Sequence, residues 1–186
     1  MPVTPRAITI RPAEPRDAQA IALMSREFIE AGLGWKYDAP RVLRAIRDRE
    51  TLAVVACEGG KAGGAAARGG VLTGFAIMEF GEERAHLVLL AVRPSHRRLG
   101  IGQRLLEWLL ESARVAGIAS IHLELRAVND SARRFYRAMA FHETVLVPGY
   151  YRGGEGRKEG ALRMLRVLRQ PGPVPYTWHP PRSKES

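Results

Sequence analysis

The sequence predicts a mixed α/β domain, a sheet of parallel and antiparallel strands with helices on its faces. Three observations carry that prediction. Strand-length segments, alternating or wholly apolar, recur along the chain; longer stretches with helical spacing stand between some of them; and the resulting order is β-α-α-β-β-β-α-β-α-β-β. In that order, strands near the middle are joined through crossover helices, the connection that parallel neighbours need. The 186 residues suit one domain, placed at residues 7–168 and followed by a proline-rich tail at 169–186.

Taken in order, AITIRP (Ala7–Pro12) alternates and reads as a strand. Pro15 and Asp17 open a helix over RDAQAIALMSREFIEAG, where Ala20, Ile21, Met24, Phe28 and Ala31 follow helical spacing. GLGWKYD is a loop, and Pro40–Arg49 a second short helix with Asp38 near its start and Val42, Leu43 and Ile46 on one face. TLAVVACE and VLTGFAIMEF are strands, joined by GGKAGGAAARGG, whose six glycines make a flexible connector. RAHLVLLAV is nearly continuous apolar sequence, as expected of a strand buried on both faces, and Pro94 ends it.

The next helix carries Ile101, Leu105, Trp108, Leu109, Ala113 and Ala116 on its apolar face, and Gly117 closes it. SIHLELRA is a strand in which Ile121, Leu123 and Leu125 alternate with His122, Glu124 and Arg126. Asn129 caps a helix on which Ala132, Phe135, Tyr136 and Met139 share a face. FHETVLVP and GALRMLRVL are two last strands, with GYYRGGEGRKE as a loop between them. The tail QPGPVPYTWHPPRSKES has five prolines and is neither regular helix nor central strand, with Tyr176 and Trp178 as its anchors if it forms an extended arm.

Composition narrows the function classes. Hydrophobic residues make up 46% and charged residues 26%, ordinary for a globular protein, so no disulfide or metal staple is required. The single cysteine, Cys57, lies in an apolar run and reads as a small buried hydrophobe; one cysteine excludes an internal disulfide and a cysteine-based zinc cluster. No metal is expected. The N-terminus lacks a signal-peptide core, and the longest apolar run, LVLLAV, is too short to cross a bilayer. A cytoplasmic protein without a membrane partner is therefore expected. The net charge is +10, but 25 of the 29 basic residues are arginine and they are scattered, so nucleic acid is disfavoured as the main partner.

The stretch RPSHRRLGIGQRLLEWLLE holds the strongest chemical signal. Gly100 and Gly102 fall where a helix starts, although glycine in a helix costs roughly 1 kcal/mol relative to alanine. A helix start presents unpaired backbone N–H groups and partial positive charge, and glycine lets an oxyanion approach them. Arg97 and Arg98 add charge beside this phosphate cradle. A Walker loop is excluded because no Gly-Lys-Ser/Thr follows, and a dinucleotide fingerprint because Leu105 stands where its third glycine belongs.

RRLGIG after a strand ending LLAV resembles the hallmark of the Gcn5-related N-acetyltransferases, a Gln/Arg-x-x-Gly-x-Gly/Ala turn at a strand-to-helix junction. The resemblance covers about residues 7–168 and includes IRPAEPRDA, LAVRPSHRRLGIGQRLL and NDSARRFYRAMAFHE. It implies a GNAT-like acyl-CoA N-acyltransferase fold, with acetyl-CoA as co-substrate. Its pyrophosphate would lie on Arg97, Arg98, Leu99, Gly100, Ile101, Gly102 and Gln103, and its pantetheine arm along Leu90, Ala91 and Val92. Asn129, a sufficient cap in its own right, would also contact the cofactor.

Within that family the chain is most similar to the N-terminal alanine acetyltransferases of ribosomal proteins. LELRAVNDSARRFYRAMAF places Glu124 twelve residues before Tyr136, as in that subgroup, and Tyr150-Tyr151 matches its double tyrosine in the peptide-binding loop. EGALRMLRV resembles its last strand, with Gly160 in place of an acidic residue.

The resemblance assigns roles. Tyr136 protonates the leaving thiolate, since a phenol near pKa ~10 keeps its proton at neutral pH. Glu124 is the base, directly or through water; His122 and His142 are alternatives. An α-amine, at pKa about 7.7–8.0, gives up its proton more easily than lysine at ~10.4. The expected acceptor is a protein or peptide N-terminus, with Tyr150 and Tyr151 lining its pocket. Two other readings stay open: a small amine or amino acid as acceptor, and a non-catalytic module that binds CoA or nucleic acid. A second copy of the chain is also left open as a partner.

Overall fold

The computed structural model describes residues 7–34, 36–59, 70–153 and 158–169. Its elements follow the predicted order: β1 (Ile8–Pro12), α1 (Ala18–Phe28), α2 (Ala39–Arg47), β2 (Thr51–Glu58), β3 (Val71–Phe80), β4 (Arg84–Val92), α3 (Ile101–Val115), β5 (Ser120–Arg126), α4 (Asp130–Ala138), β6 (His142–Arg152) and β7 (Lys158–Val167). The seven strands form one sheet in the order β1-β2-β3-β4-β5-β7-β6. Only β4 and β5 pair in parallel, joined through α3; every other neighbouring pair is antiparallel. Most of the glycine-rich connector and of the proline-rich tail lies outside the described residues.

Two cores flank the sheet. Helices α3 and α4 cover one face, packing Ile101, Leu105, Leu109 and Tyr136 against Ala76, Met78, Ala85, Leu87, Ile121 and Leu123. Helices α1 and α2 cover the other, packing Ile21, Met24 and Val42 against Val55, Phe75, Ile77, Leu89 and Ala91. Gly74 lets α3 sit close to the sheet: a Cβ there would stand 3.1 Å from both Leu105 Cδ1 and the Ala91 carbonyl oxygen.

Strand β4 decides the shape of the middle of the molecule. Ala85 and Leu87 face α3, whereas Leu89 and Ala91 face α1 and α2. Strict alternation would put all four on one side. The register explains the switch: Met78 opposes Leu87 and Ile77 opposes Leu89, so Val88 is an extra residue, a β-bulge. A bulge bends its strand and raises the local twist. β5, meanwhile, is held by β7 along all seven of its residues, from Ser120↔Val167 to Arg126↔Ala161. The two strands therefore pair only over Arg84–His86 with Ser120–His122 and then part. The edge of β4 that faces β5 has no strand partner beyond that point.

Four expectations are corrected. Trp108 is 40% exposed, and Ala116 is exposed too, because the buried arc of α3 is completed by Leu106 and Leu110. The first helix begins with a separate 3-10 turn, Pro15–Asp17, in which Asp17 accepts from the Glu14 backbone N–H (2.7 Å) and receives both ends of the Arg11 guanidinium. β4 is not buried on both faces throughout, since its parting from β5 leaves Leu90 and Val92 half-buried. Finally, β6 does not stop at Pro148: the ladder breaks between Val147 and Tyr151, where Gly149 takes φ +63°, and resumes at Tyr151↔Glu159. Tyr150 and Tyr151 therefore sit on a strand, not in a loop.

Candidate active site

Between the end of β4, the start of α3 and the face of α4 lies a cavity of about 720 Å³. Leu90, Ala91 and Val92 line it, as do Arg97, Arg98, Gly100, Ile101, Gly102 and Gln103, together with Asn129 and Tyr136. Of the predicted cofactor residues only Leu99 is outside the lining, its side chain 63% exposed. The local chain explains the shape. Arg98 (φ +66°) and Gly100 (φ +73°) both take left-handed backbone, which turns the chain sharply into α3. The first bond of α3 runs from the Arg104 N–H to the Gly100 carbonyl at 3.0 Å, so the N–H groups before it have no acceptor within the helix. A Cβ on Gly102 would stand in ordinary contact with Phe135 (3.5 Å) and Val92 (3.6 Å), so α3 starts close to both α4 and β4. Arg97 folds back, its Nε donating to the Val92 carbonyl at 3.2 Å. Asn129 Oδ1 caps α4 by accepting from the Ala132 N–H at 3.1 Å.

Tyr136 lines this cavity. Its ring is edge-on to Phe135 and Phe141, and its hydroxyl has no hydrogen-bond partner among the described residues. Burial pushes its pKa well above that of an ordinary phenol, with the Tyr151 ring as a second contribution. Tyr151 also feels the Glu124 carboxylate and stands edge-on to Tyr150, ring centres 5.0 Å apart.

Glu124 is tightly held on the α1–α2 side of the sheet. Its Oε2 lies 2.8 Å from His86 Nε2 and its Oε1 accepts from Arg163 Nε at 2.7 Å. These bonds, the one to His86 foremost, hold its pKa at about 2 even though burial acts the other way. His122, the register partner of His86, stacks on it with ring planes 2° apart and centres 4.5 Å apart. Burial, then the neighbouring His86, lower the pKa of His122. The donor atoms of His86, His122 and Glu124 lie within 4.8 Å of one another. Both Glu124 oxygens, however, are already taken, one by His86 and one by Arg163.

His86 was missed in the sequence because it looks like one polar interruption of an apolar strand; only the cross-strand register brings it to Glu124. His142 is exposed on β6, and no described hydrogen bond joins it to this group. Cys57 is buried beside Arg11, and burial raises its thiol pKa.

The far wall of the cleft joins two connections. Leu33 bridges Gly153, and the Gly34 N–H donates to the Arg152 carbonyl. Arg126 binds both oxygens of Glu159 (2.6 and 2.7 Å) and the Ala31 carbonyl (2.9 Å). Buried Glu30 accepts from the N–H groups of Lys36 and Tyr37 and from the Ser25 hydroxyl, which fixes the chain between α1 and α2.

Residues 20–141 match the acetyltransferase (GNAT) family. The chain belongs to that family. Among its curated relatives is the [ribosomal protein bS18]-alanine N-acetyltransferase of Escherichia coli, 33% identical over 98 residues; the match spans 53% of this chain and 66% of that protein, just under two thirds of its length. The crystal structure of the E. coli ribosomal-protein-S18-alanine N-acetyltransferase superposes with a TM-score of 0.70 at 26% identity, covering 91% of this chain and 99% of that one. Arabidopsis thaliana NAA60, in complex with acetyl-CoA, shares the fold at 17% identity with a TM-score of 0.73, covering 87% and 99% of the two chains. The seven-stranded mixed sheet with four helices is thus the GNAT fold. No helix among the described residues is long and apolar enough to cross a membrane.

Proposed function

We propose that this GNAT protein transfers the acetyl group of acetyl-CoA to the α-amine of a protein or peptide N-terminus, by direct attack in a ternary complex. One observation supports the reading: the cavity beside the free edge of β4 is lined by the helix-start residues of α3 and by Tyr136, whose hydroxyl interacts with Tyr151, which in turn feels Glu124.

The chain's donors suit the co-substrate. The unpaired N–H groups at the start of α3 and the charge of Arg98 suit a diphosphate. The open edge of β4 offers backbone groups to the amides of the pantetheine arm, as an added strand would. That arm aims the thioester toward Tyr136. An oriented main-chain N–H on the carbonyl oxygen is typically worth about 2.7–4 kcal/mol in acyl transfer.

The amine enters from the side walled by Tyr150, Tyr151 and the segment that Arg126 ties to Glu159. Its proton leaves toward the Glu124 carboxylate and the groups bound to it. The neutral nitrogen attacks the thioester carbon, the C–N bond forms and the C–S bond breaks. The departing thiolate takes a hydrogen bond, then a proton, from the Tyr136 hydroxyl. Burial raises the pKa of Tyr136, so the hydroxyl enters the step with its proton on. Cys57 is buried in the α1–α2 core and burial raises its thiol pKa, so it offers no covalent route. The relatives named for bS18 alanine favour a protein N-terminus as acceptor.

The test is incubation of the pure chain with acetyl-CoA and a mixed panel of peptides and small amines, read by mass spectrometry. Acetylation at peptide α-amines is expected. Acetylation of free metabolites alone refutes the acceptor, and no association with CoA by calorimetry refutes the reading as a whole.

A further inference from the structure

We propose that the segment beyond Arg169 turns back over the C-terminal end of α3 and seats the indole of Trp178 in a second cavity, at the end of the sheet away from the cleft. The contact is separate from acetyl transfer, whose cleft lies at the other end of α3.

The second cavity has a volume of about 540 Å³. Arg49 and Glu50 line it from the turn between α2 and β2, Phe80, Gly81 and Glu82 from the end of β3 and the turn after it, and Ser112 and Ala116 from the last turns of α3. Phe80 is half-buried and packs with the apolar layer under α3, so the cavity has an apolar floor. Trp108, Ser112 and Val115 lie at i, i+4 and i+7 on one side of the helix, and both Trp108 and Val115 are exposed. An apolar stripe thus runs along α3 to the same place. It is the stripe that leaves Trp108 out of the core.

The end of β7 names the occupant. The Leu168 and Arg169 N–H groups both donate to the Ala119 carbonyl (2.8 and 3.2 Å), and the Ala119 N–H donates to the Glu83 carbonyl at 2.8 Å. Glu83 follows Gly81 and Glu82 in the turn that lines the cavity. The strands β7, β5, β4 and β3 are successive neighbours, so the exit lies three strand spacings from the cavity, about 14 Å. Clearing the end of α3 adds about one helix diameter, ~10 Å. Trp178 is the ninth residue after Arg169. A proline-rich segment extends about 3.1 Å per residue, which gives it a reach of about 28 Å.

The chemistry matches at both partners. QPGPVPYTWHPP carries five prolines, and such segments dock on aromatic-lined surfaces with little conformational entropy to lose; Trp108 and Phe80 supply the rings. Indole brings a large apolar body and one N–H donor. Glu50 and Glu82 stand at the rim to accept it, and Arg49 to lie against its face. None of these three side chains has a hydrogen-bond or ion-pair partner among the described residues. Two acids against one base make the charged lining net acidic in a chain of net charge +10, and Arg182 and Lys184 follow Trp178. A tether this short gives an effective concentration in the millimolar range, above that of any second copy in dilute solution.

The full-length protein labelled with 5-fluorotryptophan tests this, because its three tryptophans, Trp35, Trp108 and Trp178, give three ¹⁹F resonances that single Phe substitutions assign. The Trp178 resonance should be displaced from its position in the urea-unfolded chain and should lose most of its H₂O/D₂O shift. Ala116→Arg should return it to the unfolded position; the site is exposed, and arginine suits a helix C-terminus. In thermal melts Trp178→Ala should lower Tm by about 2–6 °C in the wild type and by less than about 1 °C in the Ala116→Arg background. The proposal is overturned if the wild-type Trp178 resonance coincides with that of the unfolded chain, or if Trp178→Ala leaves Tm unchanged. It is also overturned if a displaced resonance ignores Ala116→Arg, which puts the seat elsewhere. Loss of the displacement on dilution of about 50-fold assigns the cavity to a second copy and overturns it as well.

Discussion

Paired substitutions at Gly100 separate backbone strain from anion binding. Gly100 sits at φ +73° and ψ 3° with nothing within 4 Å of an added Cβ, so a side chain there meets strain but no clash. Left-handed backbone costs an L-residue about 1–2 kcal/mol. For Gly100→Ala that is the whole expected effect, a fall in Tm of about 2–8 °C for a domain of this size. Gly100→Glu carries the same strain but places a carboxylate at the positive end of α3, which returns about 0.3–1 kcal/mol. On stability alone Glu should therefore match or exceed Ala.

Affinity for CoA should order them the other way. Coulomb's law at about 5 Å and an effective dielectric of about 20 gives about 3 kcal/mol of repulsion per pair of unit charges. Screening at this open helix start reduces it to about 1–2 kcal/mol, a 5- to 30-fold loss in affinity that grows as salt is lowered. Calorimetry with CoA at two salt concentrations, beside thermal melts of both variants, reads both orders. If Gly100→Glu binds CoA as tightly as Gly100→Ala at low salt, the diphosphate does not lie at this helix start.

Other predictions follow from the same geometry. Tyr136→Phe should lower kcat about 100-fold while changing stability by less than about 1 kcal/mol, because the hydroxyl has no hydrogen-bond partner to lose among the described residues; steady-state kinetics and urea melts check both. Glu124, held at about 2 where an unperturbed glutamate lies near 4.5, stabilises the fold above pH ~4.5, and that contribution disappears as pH falls through about 2. The stability gap between wild type and Glu124→Gln, about 2 kcal/mol near neutral pH, should accordingly close across that window in urea melts. Arg126→Ala should raise the KM of a peptide acceptor about 10-fold and leave the KM of acetyl-CoA unchanged, since it removes the bonds that tie Glu159 to the Ala31 carbonyl, away from the cavity beside α3. Leu105→Ala should cost about 2–5 kcal/mol in denaturant unfolding, because Leu105 is fully buried and packs under Gly74.

The sequence by itself determined the element order, the two-sided core and the glycine-bearing start of α3. These are local properties: hydrophobic period sets element type, Asn129 and Gly117 mark helix ends, and the Gly100–Gly102 pair can be read against the cost of glycine in a helix. Its errors are local too. Pro148 looked like the end of β6 because proline cannot donate to a ladder, yet the strand resumes two residues beyond Gly149. Trp108 matched the helical spacing but falls at the margin of the buried arc.

What only the tertiary structure decided is where β4 leaves β5 and what gathers there. The bulge at Val88 is invisible in RAHLVLLAV, since an apolar run offers side chains to both faces in any register. His86 meets Glu124 across 38 positions of chain, and Arg163 meets it across 39. No periodicity encodes such contacts, because strand register is fixed by how neighbouring strands pair and twist, not by the residues that the register happens to bring together.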